Sequence, residues 1–204
     1  GATRDELHLL LPDEDLDVFF NQHNPPDDGL YPIRGVVLFG LAEMERARRF
    51  AAEMKAGRIE VLGRLMNISH DGDRVISIAA DGSERPYRAP TSNDYIRSLI
   101  DDLESGNLDR ARRAQLQWQP GSYHCSLPEI DRMVHISRQT KGVVGAQLAG
   151  AGLGGCMMVL AHRDAVSNLV ANLTQHYYQP HAKAPTILVC RPVAGCDVLM
   201  RNAW

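Results

Sequence analysis

The stretch GAQLAGAGLGGC, from Gly145 to Cys156, decides how this chain is read. Five of its twelve residues are glycine and three are alanine. Strand-like runs flank it, Val143-Val144 before and Met157-Met158-Val159-Leu160 after. Backbone this bare lets something approach the main chain closely, either another backbone or a phosphate-bearing ligand. The stretch lacks the Lys-Ser/Thr ending of a Walker loop. Its Gly150-x-Gly152-x-Gly154 is not the dinucleotide spacing, and it leads into a strand where that fingerprint needs a helix. A tight β-hairpin connection and a ligand cradle both fit the composition.

Working outward, a Ser126-Leu127-Pro128-Glu129 capping box opens a helix with Ile130, Met133, Val134 and Ser137 on one face. Strands are expected at about 143–149 and 155–161. Arg163-Asp164 opens a further helix, with Val166, Leu169, Val170, Leu173 and Tyr177 on its buried side. Strands at Thr186–Cys190 and near Asp197–Met200 close the chain. The order α-β-β-α-β-β predicts a ferredoxin-like α+β layer, an antiparallel sheet with helices on one face.

Upstream, an acidic leading segment (1–31) ends in the loop signal Asn24-Pro25-Pro26-Asp27-Asp28-Gly29. A long helix follows Pro32, with Val37, Leu41, Met44 and Met54 at helical spacing until Gly57. A second helix carries Leu62, Leu65, Met66 and Ser69 to Asp71-Gly72, and the two read as a helical hairpin. Residues 73–90 predict a β-hairpin around Asp81-Gly82. Thr91 or Ser92 then caps a helix bearing Tyr95, Ile96, Leu99, Ile100 and Leu103.

The length fits one domain, with an ordinary 44% of hydrophobic residues. A net charge of −3 gives no footprint for nucleic acid. The basic clusters at Arg46–Arg49 and Arg110–Arg113 read as solvated helix faces. No apolar run reaches the roughly 18 residues of a membrane span, and the N-terminus does not read as a signal peptide. The four cysteines (Cys125, Cys156, Cys190, Cys196) lack CxxC spacing, so no metal site is expected and reduced, cytoplasmic thiols are the default.

Other candidates have plainer readings. Ser69 and His70 are adjacent on a helix and point apart, so packing is favoured over catalysis. His176 and His181 straddle a helix end. Cys156 reads as a small apolar core residue. Glu43 and Arg46 read as a surface ion pair worth little, or as facing another domain.

Five stretches, in order, carry a family resemblance. GAQLAGAGLGGC resembles the third motif of the GHMP kinases, and its surroundings resemble the galactokinase branch. The helix from Arg34 through Glu43 to Arg46, Leu65-Met66-x-x-Ser69-His70, Leu127-Pro128-Glu129-Ile130-Asp131 and Cys190-Arg191-Pro192-x-Ala194-Gly195 are similar to galactokinase signatures. The resemblance implies phosphoryl transfer from Mg-ATP to a sugar hydroxyl. It places the main chain of Gly150, Ala151, Gly152, Gly154 and Gly155 at the cofactor, and Gln147 and Ala149 on the substrate cleft. Two departures stand out. The family usually has threonine at Ala149 and often a basic residue at Gln147, and residues 73–120 look like an insertion.

The family's Pro-x-x-x-Gly-Leu-Ser-Ser-type phosphate loop, its sugar-reading stretch and its catalytic acid are not found in these residues. The expectation is therefore a GHMP kinase C-terminal domain spanning 1–204, with no catalytic residue of its own. Its expected partners are an N-terminal nucleotide-binding domain and a small sugar, with neither nucleic acid nor membrane. A non-catalytic sugar or nucleotide sensor, or an interaction module, is the alternative.

Overall fold

A computed structural model describes residues 1–25, 28–150, 152 and 155–191. The leading segment holds two short helices, α1 (Arg4–Leu10) and α2 (Asp17–Phe20). A capping box starts α1. Thr3 Oγ1 accepts from the Glu6 amide and the Glu6 carboxylate accepts from the Thr3 amide. An antiparallel bridge between Ala2 and Tyr31 closes the segment.

Helix α3 (Ile33–Lys55) follows Pro32 and runs to a turn at Gly57, whose φ of 68° suits glycine. Helix α4 (Ile59–Asp73) folds back against it. The hairpin is as expected, but its packing face is not. Val37, Leu41, Met44 and Met54 are exposed, whereas Gly35, Ala42 and Arg46 are buried. Helix α3 packs through small residues: a Cβ on Gly35 would collide with Ser122. Arg46 is not part of a solvated face. Its guanidinium reaches across to the carbonyls of Gln117 (3.3 Å) and Gln119 (2.8 Å) while pairing with Glu43.

Strands β1 (Ile76–Ile78) and β2 (Glu84–Pro86) form the expected hairpin around Gly82. Helix α5 (Asn93–Glu104) is capped by Ser92, and α6 (Leu108–Ala114) by Asn107. A 3-10 turn (Leu116–Trp118) leads to the irregular segment 119–127.

Helix α7 (Pro128–Gln139) begins without the expected capping box. Leu127 is the N-cap, and the Ser126 hydroxyl turns instead to Asp131, 2.6 Å away. As an N-cap this hydroxyl would accept from a backbone amide; here its O–H donates to a carboxylate, a charge-assisted bond stronger than a neutral one. Strands β3 (Val143–Ala149) and β4 (Cys156–Ala161) pair antiparallel, with a register irregularity between Val143 and Gly145. Ile130 and Val134 of α7 pack on Ala146 and Leu148 of β3, forming the core. A 3-10 turn (Arg163–Ala165), α8 (Val166–Leu173) and a π turn (Thr174–Tyr178) pack beside α7, burying Leu169, Leu173 and Tyr177.

Two expectations fail here. Cys156 is exposed rather than core, because β4 leaves one face open. Thr186–Cys190 is not a strand: it has no ladder partner among the described residues, and Leu188 and Val189 are exposed. The strand expected near 197–200 lies outside the described residues. The α+β class and the α7–β3–β4–α8 order stand, with α7 packed on one face of the β3–β4 pair.

Helix α4 approaches β3 backbone to backbone, at Gly63 and Gly145. A Cβ on Gly63 would overlap the carbonyl of Val144, and one on Gly145 would overlap Gly63. Gly63→Ala is therefore expected to cost about 1–3 kcal/mol through overpacking. Gly40→Ala, in α3 with no atom near its Cβ, should stabilise by roughly 0.5–1 kcal/mol. Urea midpoints of the two variants check this pair of opposite signs.

Candidate functional site

Strand alternation sends Ala146 and Leu148 into the core and places Gln147 and Ala149 on the opposite face. Gln147 pairs in register with Met158, and Ala149 with Cys156. Gln147 and Met158 form the floor of a groove of about 560 Å³. Phe50 and Met54 of α3 and Leu65 and Met66 of α4 line it, with Glu43, Arg46 and Ser69 as polar groups.

The glycine turn follows directly at the end of β3. Gly150 has a left-handed φ of 81°, and among the described residues nothing lies within reach of a Cβ, so its main chain is open to approach from them. Gly152 differs. It is buried, its φ is 85°, and a Cβ there would overlap the carbonyl oxygen of Cys125. Gly155 donates its amide to Gly152 O at 2.6 Å, inside the turn. Ala151 and Gly154 lie outside the described residues. The turn thus contains both alternatives left open by composition, tight packing at Gly152 and open backbone at Gly150.

Beneath the turn lies a buried polar cluster whose members the sequence keeps far apart. Asp131 Oδ2 accepts from the amides of Val75 (2.8 Å) and Ile76 (2.9 Å). Its Oδ1 accepts from Ser126 Oγ and lies 3.3 Å from His70 Nε2. His70 Nδ1 in turn accepts from the Leu148 amide at 3.3 Å. An imidazole that accepts at Nδ1 and donates at Nε2 is the neutral Nε2–H tautomer. Burial pushes Asp131 upward, but the hydrogen bonds from His70, Ser126, Ile76 and Val75 outweigh it and hold its carboxyl below the usual range. His70 therefore packs and positions, as expected. Neither Asp131 nor Ser126 carried a sequence signal for this cluster, since their partners lie on other elements.

Nearby, Asp73 Oδ1 accepts from Cys125 Sγ at 3.0 Å. Burial raises Asp73 to about 6, against the opposing thiol hydrogen bond. Burial, then the Asp73 carboxylate, pushes the Cys125 thiol up to about 12, so it is a donor and not a nucleophile. Asn67 and Arg138 complete the frame. Asn67 Oδ1 accepts from the Ala146 amide at 3.0 Å, while Arg138 donates to Asn67 O (2.6 Å) and pairs with Asp71 (2.9 Å). Glu43 and Arg46 are corrected from a surface pair to a buried guanidinium held by a half-exposed carboxylate, both lining the groove. Among the described residues no three His, Cys, Asp or Glu side chains converge on a metal position. None of the described helices is long and apolar enough to cross a membrane.

Residues 96–179 match the sequence model of the family described as GHMP kinases C terminal. Residues 96–179 thus carry a GHMP kinase C-terminal domain. Its curated relatives include a galactokinase of Roseiflexus sp. (strain RS-1), 30% identical over 183 residues, which covers 90% of this chain and 34% of the relative. A galactokinase of Streptococcus suis (strain 05ZYH33) is 34% identical over 71% of this chain and 38% of its own length. One of Streptococcus thermophilus is 31% identical over 69% and 37%. The chain thus spans little more than a third of these relatives. Leu65–His70, upstream of the matched residues, and Leu127–Asp131, within them, are the stretches whose polar members meet near the glycine turn.

The two buried aspartates give the domain a signed pH response. Asp73 is raised in the fold, so the folded state holds its proton more tightly. Its contribution is favourable at acid pH and is lost as pH rises from about 4 to about 6. Asp131 is depressed, so its contribution is present above the ordinary carboxylate range and lost below it. Asp73→Asn, which keeps an acceptor for Cys125, is expected to remove the loss between pH 4 and 6. It should stabilise the domain at pH 7 by on the order of 1–3 kcal/mol. Denaturant titrations at pH 4.5 and 7 check this.

Proposed function

We propose that this domain forms the C-terminal part of an ATP-dependent sugar kinase of the galactokinase type, acting with Mg-ATP on a sugar hydroxyl. The observation that carries the reading is the glycine turn. It presents open, left-handed backbone at Gly150, directly after Ala149 and at the end of the strand that carries Gln147 into the groove, in a chain whose residues 96–179 match the GHMP kinase C-terminal family and whose relatives are galactokinases. When bound, ATP supplies the phosphoryl group, with Mg²⁺ carried on its phosphates. Catalysis of this kind is positioning and charge stabilisation. The main chain at Gly150 accommodates an anionic group without a Cβ in the way. Gln147 offers a neutral donor and acceptor in the groove. Ala149, where the family usually has a hydroxyl, withdraws one polar contact and so alters which sugar is held.

In this reading the catalytic acid and the phosphate loop belong to an N-terminal kinase domain. The exposed stripe of Val37, Leu41 and Met44 on α3 is apolar surface for that domain to cover. In the same reading residues 73–120 are an insertion, and the whole enzyme works in the cytoplasm.

The protein encoded by the full reading frame around this chain is expected to release ADP from Mg-ATP when given galactose, arabinose or a uronic acid. Residues 1–204 alone should give none. Sugar-stimulated turnover by the isolated chain would overturn the division of labour. Binding of sugar or nucleotide without turnover by the whole protein would favour a sensor instead.

A further inference from the structure

We infer that Asp131 is a positioning residue for the glycine turn, acting through His70 on one side and Ser126 on the other. Its Oδ1 lies within 3.3 Å of His70 Nε2, and His70 Nδ1 accepts from the Leu148 amide, two residues before Gly150. The same oxygen accepts from Ser126 Oγ at 2.6 Å. Ser126 follows Cys125, whose carbonyl oxygen is the surface on which buried Gly152 rests. One carboxylate therefore anchors both supports of the turn, the end of β3 and the segment beneath Gly152. Its Oδ2 is fully engaged by Val75 and Ile76, so the carboxylate has no freedom to turn.

The arrangement depends on acceptor chemistry, which is why shape alone cannot replace it. An asparagine at 131 has one acceptor oxygen. If that oxygen stays on the Val75 and Ile76 amides, its NH₂ faces His70 Nε2–H and donor meets donor. His70 can relieve this only by moving its proton to Nδ1, where it then faces the Leu148 N–H. Either way the link to β3 is lost.

The first test is on this chain, by ¹⁵N NMR. Wild type is expected to show His70 as the Nε2–H tautomer. Asp131→Asn should abolish that signature and shift the amide resonances of Leu148, Gly150, Cys125 and Gly152. Two milder variants separate the arms. Ser126→Ala should shift Cys125 and Gly152 and leave Leu148 in place. His70→Gln should shift Leu148 and Gly150 and leave Cys125 in place. If Asp131→Asn does not fold, the two single-arm variants decide alone. Resonances of the turn that stay put in both, or that move together in both, overturn the inference.

The second readout rests on the kinase reading. In the full-length protein, Ser126→Ala and His70→Gln are expected to lower kcat/KM for ATP by about tenfold to a hundredfold while the protein stays folded at the assay temperature. An inactive wild type would sink the kinase reading and leave the outcome of the NMR experiment intact. Active variants with unchanged kcat/KM would overturn the positioning role.

Discussion

An edge strand exposes a row of unpaired amides, and everything near the candidate site follows from how β3 resolves that. On one side β3 pairs with β4. On the other, α4 supplies side-chain acceptors, Asn67 for the Ala146 amide and His70 for the Leu148 amide. A helix cannot offer backbone partners to a strand, because its own amides and carbonyls are used internally. Polar side chains must therefore reach the strand, and the helix must come close enough for short ones to do so. Gly63 and Gly145 permit that approach. The glycines and the two acceptors are one solution to one problem.

Placing a histidine at a buried edge creates a second demand. Its remaining nitrogen needs a partner, and Asp131 meets it. A buried carboxylate is itself costly unless every lone pair is engaged. Here two backbone amides, a hydroxyl and an imidazole engage it, and its proton affinity falls despite burial. Asp73 shows the contrast. With a thiol as its hydrogen-bond donor, a weak one, burial dominates and the carboxyl is raised to about 6. The number and strength of donors, more than depth, separates the two carboxylates.

Much of the site was visible in the sequence. The glycine run, the two strands around it, the Leu65–His70 helix and the Pro128–Gln139 helix all carried periodic or compositional signals, and the structure has each. What failed shares a cause. Ser126 reads as a cap, Cys156 as core and Arg46 as a surface residue when only their neighbours in sequence are weighed. Each is decided by a distant partner: Asp131 for Ser126, the open face of β4 for Cys156, and the carbonyls of Gln117 and Gln119 for Arg46. The exposed stripe on α3 belongs here too, since periodicity marks an apolar face without saying what covers it.

The sequence by itself determined the local elements, the bare turn and the family, because helical period, glycine content and motif spacing are properties of contiguous residues. Only the tertiary structure decided which polar groups meet. Asp131 and His70 stand 61 positions apart, and Cys125 and Gly152 stand 27 apart. Hydrogen-bond partners over such separations are selected by packing geometry, and no local propensity encodes them.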